Sequence, residues 1–203
     1  MFTFDAAAHE YRLNGVRLPS VTQITQGLTN YDGIPAEILE RKRLIGSATH
    51  LASEFYDNGI LDESTVDPVC EGYFQAYKAF RRDHAAKIWC NEKRLFSERH
   101  GYAGTLDRVF EFCGGHKGFW MAGDFVQIDL KTVAQLQPAT AVQMAGYQLM
   151  LPPLPVPRTR VKRVALQLKP NATYKLEPYI DPDDEQVFLA SLRTFKWKEF
   201  HNV

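Results

Sequence analysis

An α/β (α+β) domain is the fold class this sequence predicts, on three observations. Apolar and aromatic stretches suited to strands, above all 102–112 and 125–133, alternate with stretches of helical character. Helix-starting signals recur along the chain at Pro35, Asp67-Pro68, Pro138 and Asp181-Pro182 instead of gathering at one end. The length of 203 residues, 45% of them hydrophobic, suits one domain with a substantial core.

Each element has its own justification. Residues 2–4 and 10–18 alternate like short strands around an Asn14-Gly15 turn, which predicts an N-terminal hairpin. Ser20 is placed to cap a short helix over 21–28. After a loop carrying Asn30, Asp32 and Gly33, Pro35 opens a helix running to about Asn58, with Gly46 a possible break. His50 and Glu54, four apart, share one face of it, and Gly46 and Ser47 on the preceding turn leave room for backbone or ligand. As residues alone, His50 and Glu54 read equally as a solvated pair. Gly59 stops this helix. Asp67-Pro68 opens the next, over 69–86, with Phe74, Tyr77 and Phe80 as its apolar stripe and Arg81, Arg82 and Lys87 at the end where the helix dipole favours cations. Residues 88–96 read as a strand carrying Glu92.

The central feature is a hairpin of 102–112 and 125–133, with Gly114, Gly115, Gly118 and Gly123 between the strands. A hairpin symmetric about Gly118 sets Asp107 opposite Asp129, with Cβ atoms roughly 4.5–5.5 Å apart on one face. Lys131, two residues along, shares that face. Like charges this close repel, and a hard divalent cation with carboxylate ligands relieves them. The other reading is two ordinary strand-end acids with a solvated lysine, and a one-residue slip of register would separate the faces.

Past Lys131, Pro138 starts a helix ending near Leu151. Gln143 and Tyr147 share a face of it, as a site pair or as a polar edge beside a packed aromatic, while Ala141, Ala145 and Gly146 keep it slim. Residues 152–157 are a Pro-rich connector. The stretch 158–168, RTRVKRVALQL, reads as a basic-led strand whose four cations in six residues suit either a phosphate backbone or a solvated strand edge. Asn171 marks a turn, 173–179 a further strand, and Asp181-Pro182 the last helix, with Val187, Leu189, Leu192, Phe195 and Trp197 among its apolar residues.

Composition narrows the function classes. Lys plus Arg and Asp plus Glu are 24 each, so overall charge gives no support to nucleic-acid binding and any basic surface must be local. Cys70, Cys90 and Cys113 are odd in number and widely spaced, which argues against a zinc knuckle or a disulfide framework and fits a reducing cytosol. The start MFTFDAAAHEYRL lacks a basic segment followed by an apolar run, so no signal peptide is expected, and no apolar run is long enough to span a membrane.

In order, GSATH with Glu54, AGTLD, IDLKT and QMAGYQ resemble the PD-(D/E)xK nuclease superfamily, and within it the RecB-type exonuclease branch and its phage-encoded relatives. The matching residues are His50, Asp107, Asp129 with Lys131, and Gln143 with Tyr147, spanning about half the chain, and the N-terminal LPSVTQI is similar to the opening of phage-type members. Two positions depart from the family pattern: Leu106 stands where the superfamily's eponymous proline would be, and Asp129 where many members have Glu. Neither removes a required functional group.

The resemblance implies a restriction-endonuclease-like core with a central mixed β-sheet flanked by helices. The expected division of 1–203 is a hairpin and short helix in 1–34, the motif-bearing core in 35–151, and C-terminal strands and helix in 158–203. It implies metal-dependent DNA exonuclease activity in phage or bacterial recombination or repair. One or two Mg²⁺ or Mn²⁺ ions would be held by Asp107, Asp129, the Leu130 carbonyl and His50, the imidazole favouring Mn²⁺. Glu54 would orient His50 or a bound water. Lys131, kept protonated by its carboxylate neighbours, would orient the attacking water or stabilise the transition state. Gln143 and Tyr147 would contact DNA or brace the site, with Glu92 and Ser47 as secondary candidates. DNA is the expected partner, together with a single-strand annealing or recombination protein, in the cytoplasm of a bacterial or phage-infected cell. The competing expectations are a catalytically inactive nuclease-fold module for DNA binding or assembly, and an endonuclease or RNase of the same fold.

Overall fold

The computed structural model describes residues 1–203. A five-stranded mixed sheet forms its centre, in the order β4 (Ala86–Ser97), β5 (Tyr102–Phe112), β6 (Phe125–Lys131), β7 (Lys162–Leu168) and β8 (Tyr174–Tyr179). All neighbouring pairs are antiparallel except β6 with β7, which is parallel and whose crossover carries helix α4 (Ala139–Gln148). Helices cover the sheet, so the predicted α/β (α+β) class with a central mixed sheet holds. No helix is long and apolar enough to cross a membrane.

The N-terminal segment is a three-stranded meander, β1 (Phe2–Asp5), β2 (Glu10–Leu13) and β3 (Val16–Leu18), where a two-stranded hairpin was expected. Asn14 and Gly15 take φ of 51° and 83°, the pair of positive values a tight primed turn requires, and they divide the predicted second strand in two. Tyr11 and Leu18 pack on Ala103, and the Tyr11 hydroxyl lies 2.8 Å from Thr105 Oγ1, which seats the meander on β5. Ser20 caps α1 (Val21–Thr25) as predicted: its hydroxyl accepts the Gln23 N–H at 3.1 Å, and the Gln23 side chain accepts the Ser20 N–H at 2.9 Å.

Helix α2 (Ala36–Asp57) runs through Gly46 unbroken. A Cβ at Gly46 would lie 3.4 Å from Thr132 Oγ1, an ordinary contact, so α2 lies against the chain leaving β6 at a distance that does not require the glycine. Helix α3 (Pro68–Asp83), capped by Asp67, buries the predicted Phe74, Tyr77 and Phe80 completely. With α2 it covers one face of the sheet, against Phe110, Val126, Ile128, Leu130, Val164 and Leu166. Helices α1, α4 and α5 (Asp183–His201) pack on the other face, around Tyr102, Val109, Phe125, Val142 and Phe188.

The basic-led strand is corrected. Arg158–Arg160 is a 3₁₀ turn, and the strand starts at Lys162. β7 lies between β6 and β8, so it is no edge. Arg158 pairs with Glu185, Lys162 with Asp124, and the buried Arg163 with Asp184 while donating to the Ala141 and Asp181 carbonyls. A buried strand needs its cations neutralised, and three of these four are.

The tightest approach in the fold is α3 against the β7–β8 turn. A Cβ on Gly72 would come within 1.9 Å of the Pro170 carbonyl oxygen, a backbone atom that cannot swing aside. Gly72→Ala is therefore expected to destabilise the protein by about 1–3 kcal/mol, despite alanine's better helix propensity. Urea unfolding checks this, and an unchanged midpoint would show that the turn yields freely.

Candidate metal centre

The site forms where β5 and β6 part. Their ladder runs only from Glu111 opposite Phe125 to Arg108 opposite Ile128, the register predicted from symmetry about Gly118. Beyond it β5 stays with β4 and β6 with β7, so the sheet forks. Asp107 fills the fork: its Oδ2 accepts the Leu130 N–H at 2.7 Å.

His50 reaches this point from α2. Its Nε2 lies 3.1 Å from the Leu130 carbonyl, and its Nδ1 lies 3.3 Å from Glu92 Oε1 and 3.7 Å from Asp107 Oδ1. Both ring nitrogens thus face acceptors, an arrangement that suits the imidazolium. Burial would push the His50 pKa down, but the Asp107 carboxylate, and then Glu92, hold it up at about 9. Asp107 is raised, first by burial and further by Asp129 and Glu92, against the opposing pull of His50.

Lys131 arrives from the end of β6. Its ammonium lies 2.7 Å from Asp129 Oδ2 and donates to Gln143 Oε1 at 3.0 Å. Burial works against its charge, but Asp129 and Asp107 overcome that and raise its pKa, so Lys131 stays protonated. Gln143 must present its oxygen to a group that only donates, which turns its amide nitrogen toward the Tyr147 hydroxyl at 3.4 Å. Tyr147 is buried, and a Cβ on Gly104 would lie 2.7 Å from its ring. Gln143 therefore braces Lys131, and the buried Tyr147 stands beside Gln143. Gln127, buried on β6, donates to the Met144 carbonyl, and Gln167 on β7 donates to the carbonyls of Val133 and Ala134. These amides fix α4 and the chain leading to it relative to the sheet.

One of the two roles expected of Glu54, orienting His50, belongs to another residue. Glu54 makes no bond to His50; Glu92 makes it instead. Glu92 sits in β4 at φ 43°, a left-handed conformation that costs a non-glycine residue on the order of 1–3 kcal/mol. Glu54 lies close enough to Glu92 for that charge, after burial, to raise its own pKa. Ser47 is exposed and makes no side-chain hydrogen bond.

The sequence reading missed Arg108. Its guanidinium, wholly buried, donates to Asp57 Oδ2 at 2.8 Å, Glu92 Oε1 at 2.9 Å, the Asp107 carbonyl at 2.8 Å and Ser53 Oγ at 3.1 Å. Arg81 and the Tyr77 hydroxyl also reach the fully buried Asp57 carboxylate. One signal was available: His50, Ser53 and Asp57 follow i, i+3, i+7 spacing on one face of α2, opposite an arginine set in an apolar strand.

The residues fit a divalent cation. His50, Glu92 and Asp107 each offer a ligand atom, all within 4.8 Å of one another. Asp129 is outside that group; its buried Oδ2 is paired with the Lys131 ammonium at 2.7 Å. A carboxylate has oxygen lone pairs enough to serve an ammonium and a hard cation together. Coordination requires His50 to lose its proton and Asp107 to be ionised. With His50 held protonated up to about 9, affinity for Mn²⁺ is expected to rise about tenfold per pH unit between 7 and 9, and more steeply below as Asp107 adds a second proton. Calorimetric titrations in buffers of different ionisation enthalpy check this through the protons released; affinity flat across that range would exclude His50 as a ligand.

No protein-family model matches the sequence, and no curated protein does. Among solved structures, the crystal structure of SSO0001 is similar at 12% identity and a TM-score of 0.36, over 74% of this chain and 70% of that one. A likeness of that size carries no argument about fold or function.

Proposed function

We propose that this protein is a metal-dependent deoxyribonuclease that hydrolyses phosphodiester bonds, acting as an exonuclease with Mg²⁺ or Mn²⁺. The observation supporting it most is the meeting of Asp107, Asp129, Lys131, His50 and the Leu130 carbonyl at one fork in the sheet, drawn from three elements far apart in sequence.

His50, Asp107, Asp129 and the Leu130 carbonyl would hold the ion, with Glu92 as a fifth donor. The ion would supply neutralisation of the charge developing on the phosphate and activation of the attacking water. Lys131 has three N–H donors: one goes to Gln143, one side faces Asp129, and the remaining hydrogen is free to donate to a phosphate oxygen or the attacking water. Being protonated, Lys131 orients and stabilises; it does not take the proton. Glu92, fixed by Arg108, keeps the His50 ring aimed at Leu130.

The test is incubation with end-labelled linear duplex, single-stranded and covalently closed circular DNA, with Mg²⁺, Mn²⁺ or chelator. Metal-dependent loss of the linear forms with circles spared supports the exonuclease reading. Cutting of circles makes it an endonuclease. No cleavage of DNA with either metal removes the deoxyribonuclease reading and leaves a nuclease-fold binding module or an RNase, which RNA substrates then separate.

A further inference from the structure

We propose that Tyr31 is a base-stacking platform at the entrance to the metal centre, taking an unpaired base of the strand whose phosphate is presented to Lys131. The proposal rests on the nuclease reading and deepens it, since a base free to stack requires that strand to be single-stranded or frayed at the site.

Three observations support it. First, Tyr31 is 48% exposed, in a loop that is built instead of slack. The Asn30 N–H donates to Gln137 Oε1 and Gln137 Nε2 donates back to the Asn30 carbonyl, both at 3.1 Å. The Asp32 N–H caps onto Asn30 Oδ1 at 2.7 Å, and the Ile34 N–H closes a turn on the Tyr31 carbonyl at 3.1 Å, with Gly33 at φ 77°. A solvent-facing aromatic on a doubly tethered turn is preorganised for a flat ligand. Second, the tether sets where the ring stands. Gln137 belongs to the chain leaving Lys131, so the turn is fixed to the segment that carries the site. Third, α2 rises directly from this turn, and through Leu44 every residue except Leu39 is exposed. On it Arg41 and Lys42 face solvent with no acidic partner, whereas their neighbour Arg43 is occupied by Glu40 at 2.6 Å. An exposed aromatic followed along the chain by uncommitted cations is a combination that can grip a single strand: the ring takes a base of any identity, and the cations follow the phosphates.

The experiment compares wild type, Tyr31→Ala and Tyr31→Phe on duplexes with single-stranded overhangs, in Mn²⁺, with one abasic nucleotide walked through the overhang. Tyr31→Ala is expected to raise KM roughly 5- to 100-fold, with kcat changed much less. Tyr31→Phe is expected to restore KM, because the ring and not the hydroxyl does the stacking. At one position the abasic nucleotide should weaken the wild type and leave Tyr31→Ala unchanged, an effect that a merely structural role for Tyr31 would not produce. Equal KM for wild type and Tyr31→Ala overturns the proposal. So does a defect that persists in Tyr31→Phe, or one indifferent to the abasic position. If the wild type cleaves nothing, the nuclease reading fails separately. Anisotropy of a labelled single-stranded oligonucleotide then decides on Tyr31: weaker binding by Tyr31→Ala than by Tyr31→Phe sustains the platform, and equal binding ends it.

Discussion

Asp129→Ala and Lys131→Ala are each expected to lower DNA cleavage by at least about 10³-fold, equivalent to roughly 4 kcal/mol of transition-state stabilisation. The two residues form one unit. Lys131 is held protonated by Asp129 and aimed by Gln143, so removing either partner disturbs both charge and direction. Losing Asp129 also removes one of the carboxylates proposed to hold the ion. Lys131→Ala leaves that carboxylate buried without its counter-charge, so some stability loss accompanies the loss of activity. Lys131→Met keeps the stem that fills the space and isolates the charge. Circular dichroism and a thermal melt on each variant separate chemistry from folding. Substantial cleavage by both folded alanine variants would remove the proposed site.

The largest effect on stability is expected from Arg108→Met, at about 3–5 kcal/mol. Methionine fills much of the volume but abandons the buried Asp57 and Glu92 carboxylates, the Ser53 hydroxyl and the Asp107 carbonyl together. For a chain of this length that corresponds to a fall in melting temperature of about 6–20 °C. Adding Asp57→Asn should recover part of the loss, since the penalty lies mainly in the orphaned charge, and the double-mutant cycle measures how much. Arg108→Lys should fall between, because one ammonium cannot span acceptors on α2, β4 and β5. A melting temperature equal to wild type would mean that the network contributes no more than a surface ion pair.

The readable parts of this chain are those whose signal is local. Ser20 with Gln23, Pro35 and Asp67-Pro68 announced helix starts because caps act within one turn, and the structure uses each. The hairpin register follows from assuming symmetry about Gly118; strands buried on both faces carry no alternation that would fix it from sequence. What stayed hidden depends on partners distant in sequence. The choice between Glu54 and Glu92 beside His50 turns on a left-handed φ at Glu92, which no non-glycine residue advertises. Arg108 reads as a surface cation until Asp57 and Ser53 are placed over it. The run from Arg158 to Arg163 looked like a basic face because its acids, Asp124, Asp184 and Glu185, lie outside it in sequence.

Leu130 contributes to the site through its main chain alone. Its N–H binds Asp107 and its carbonyl meets His50, while its side chain, 1% exposed, belongs to the hydrophobic cluster on the α2–α3 side of the sheet. Any aliphatic residue of similar volume would present the same two peptide groups. The middle letter of Asp-Leu-Lys is therefore free to drift over evolutionary time within the limits of core volume. A pattern written in side-chain letters leaves that position blank, although its peptide groups touch two of the site's ionisable residues.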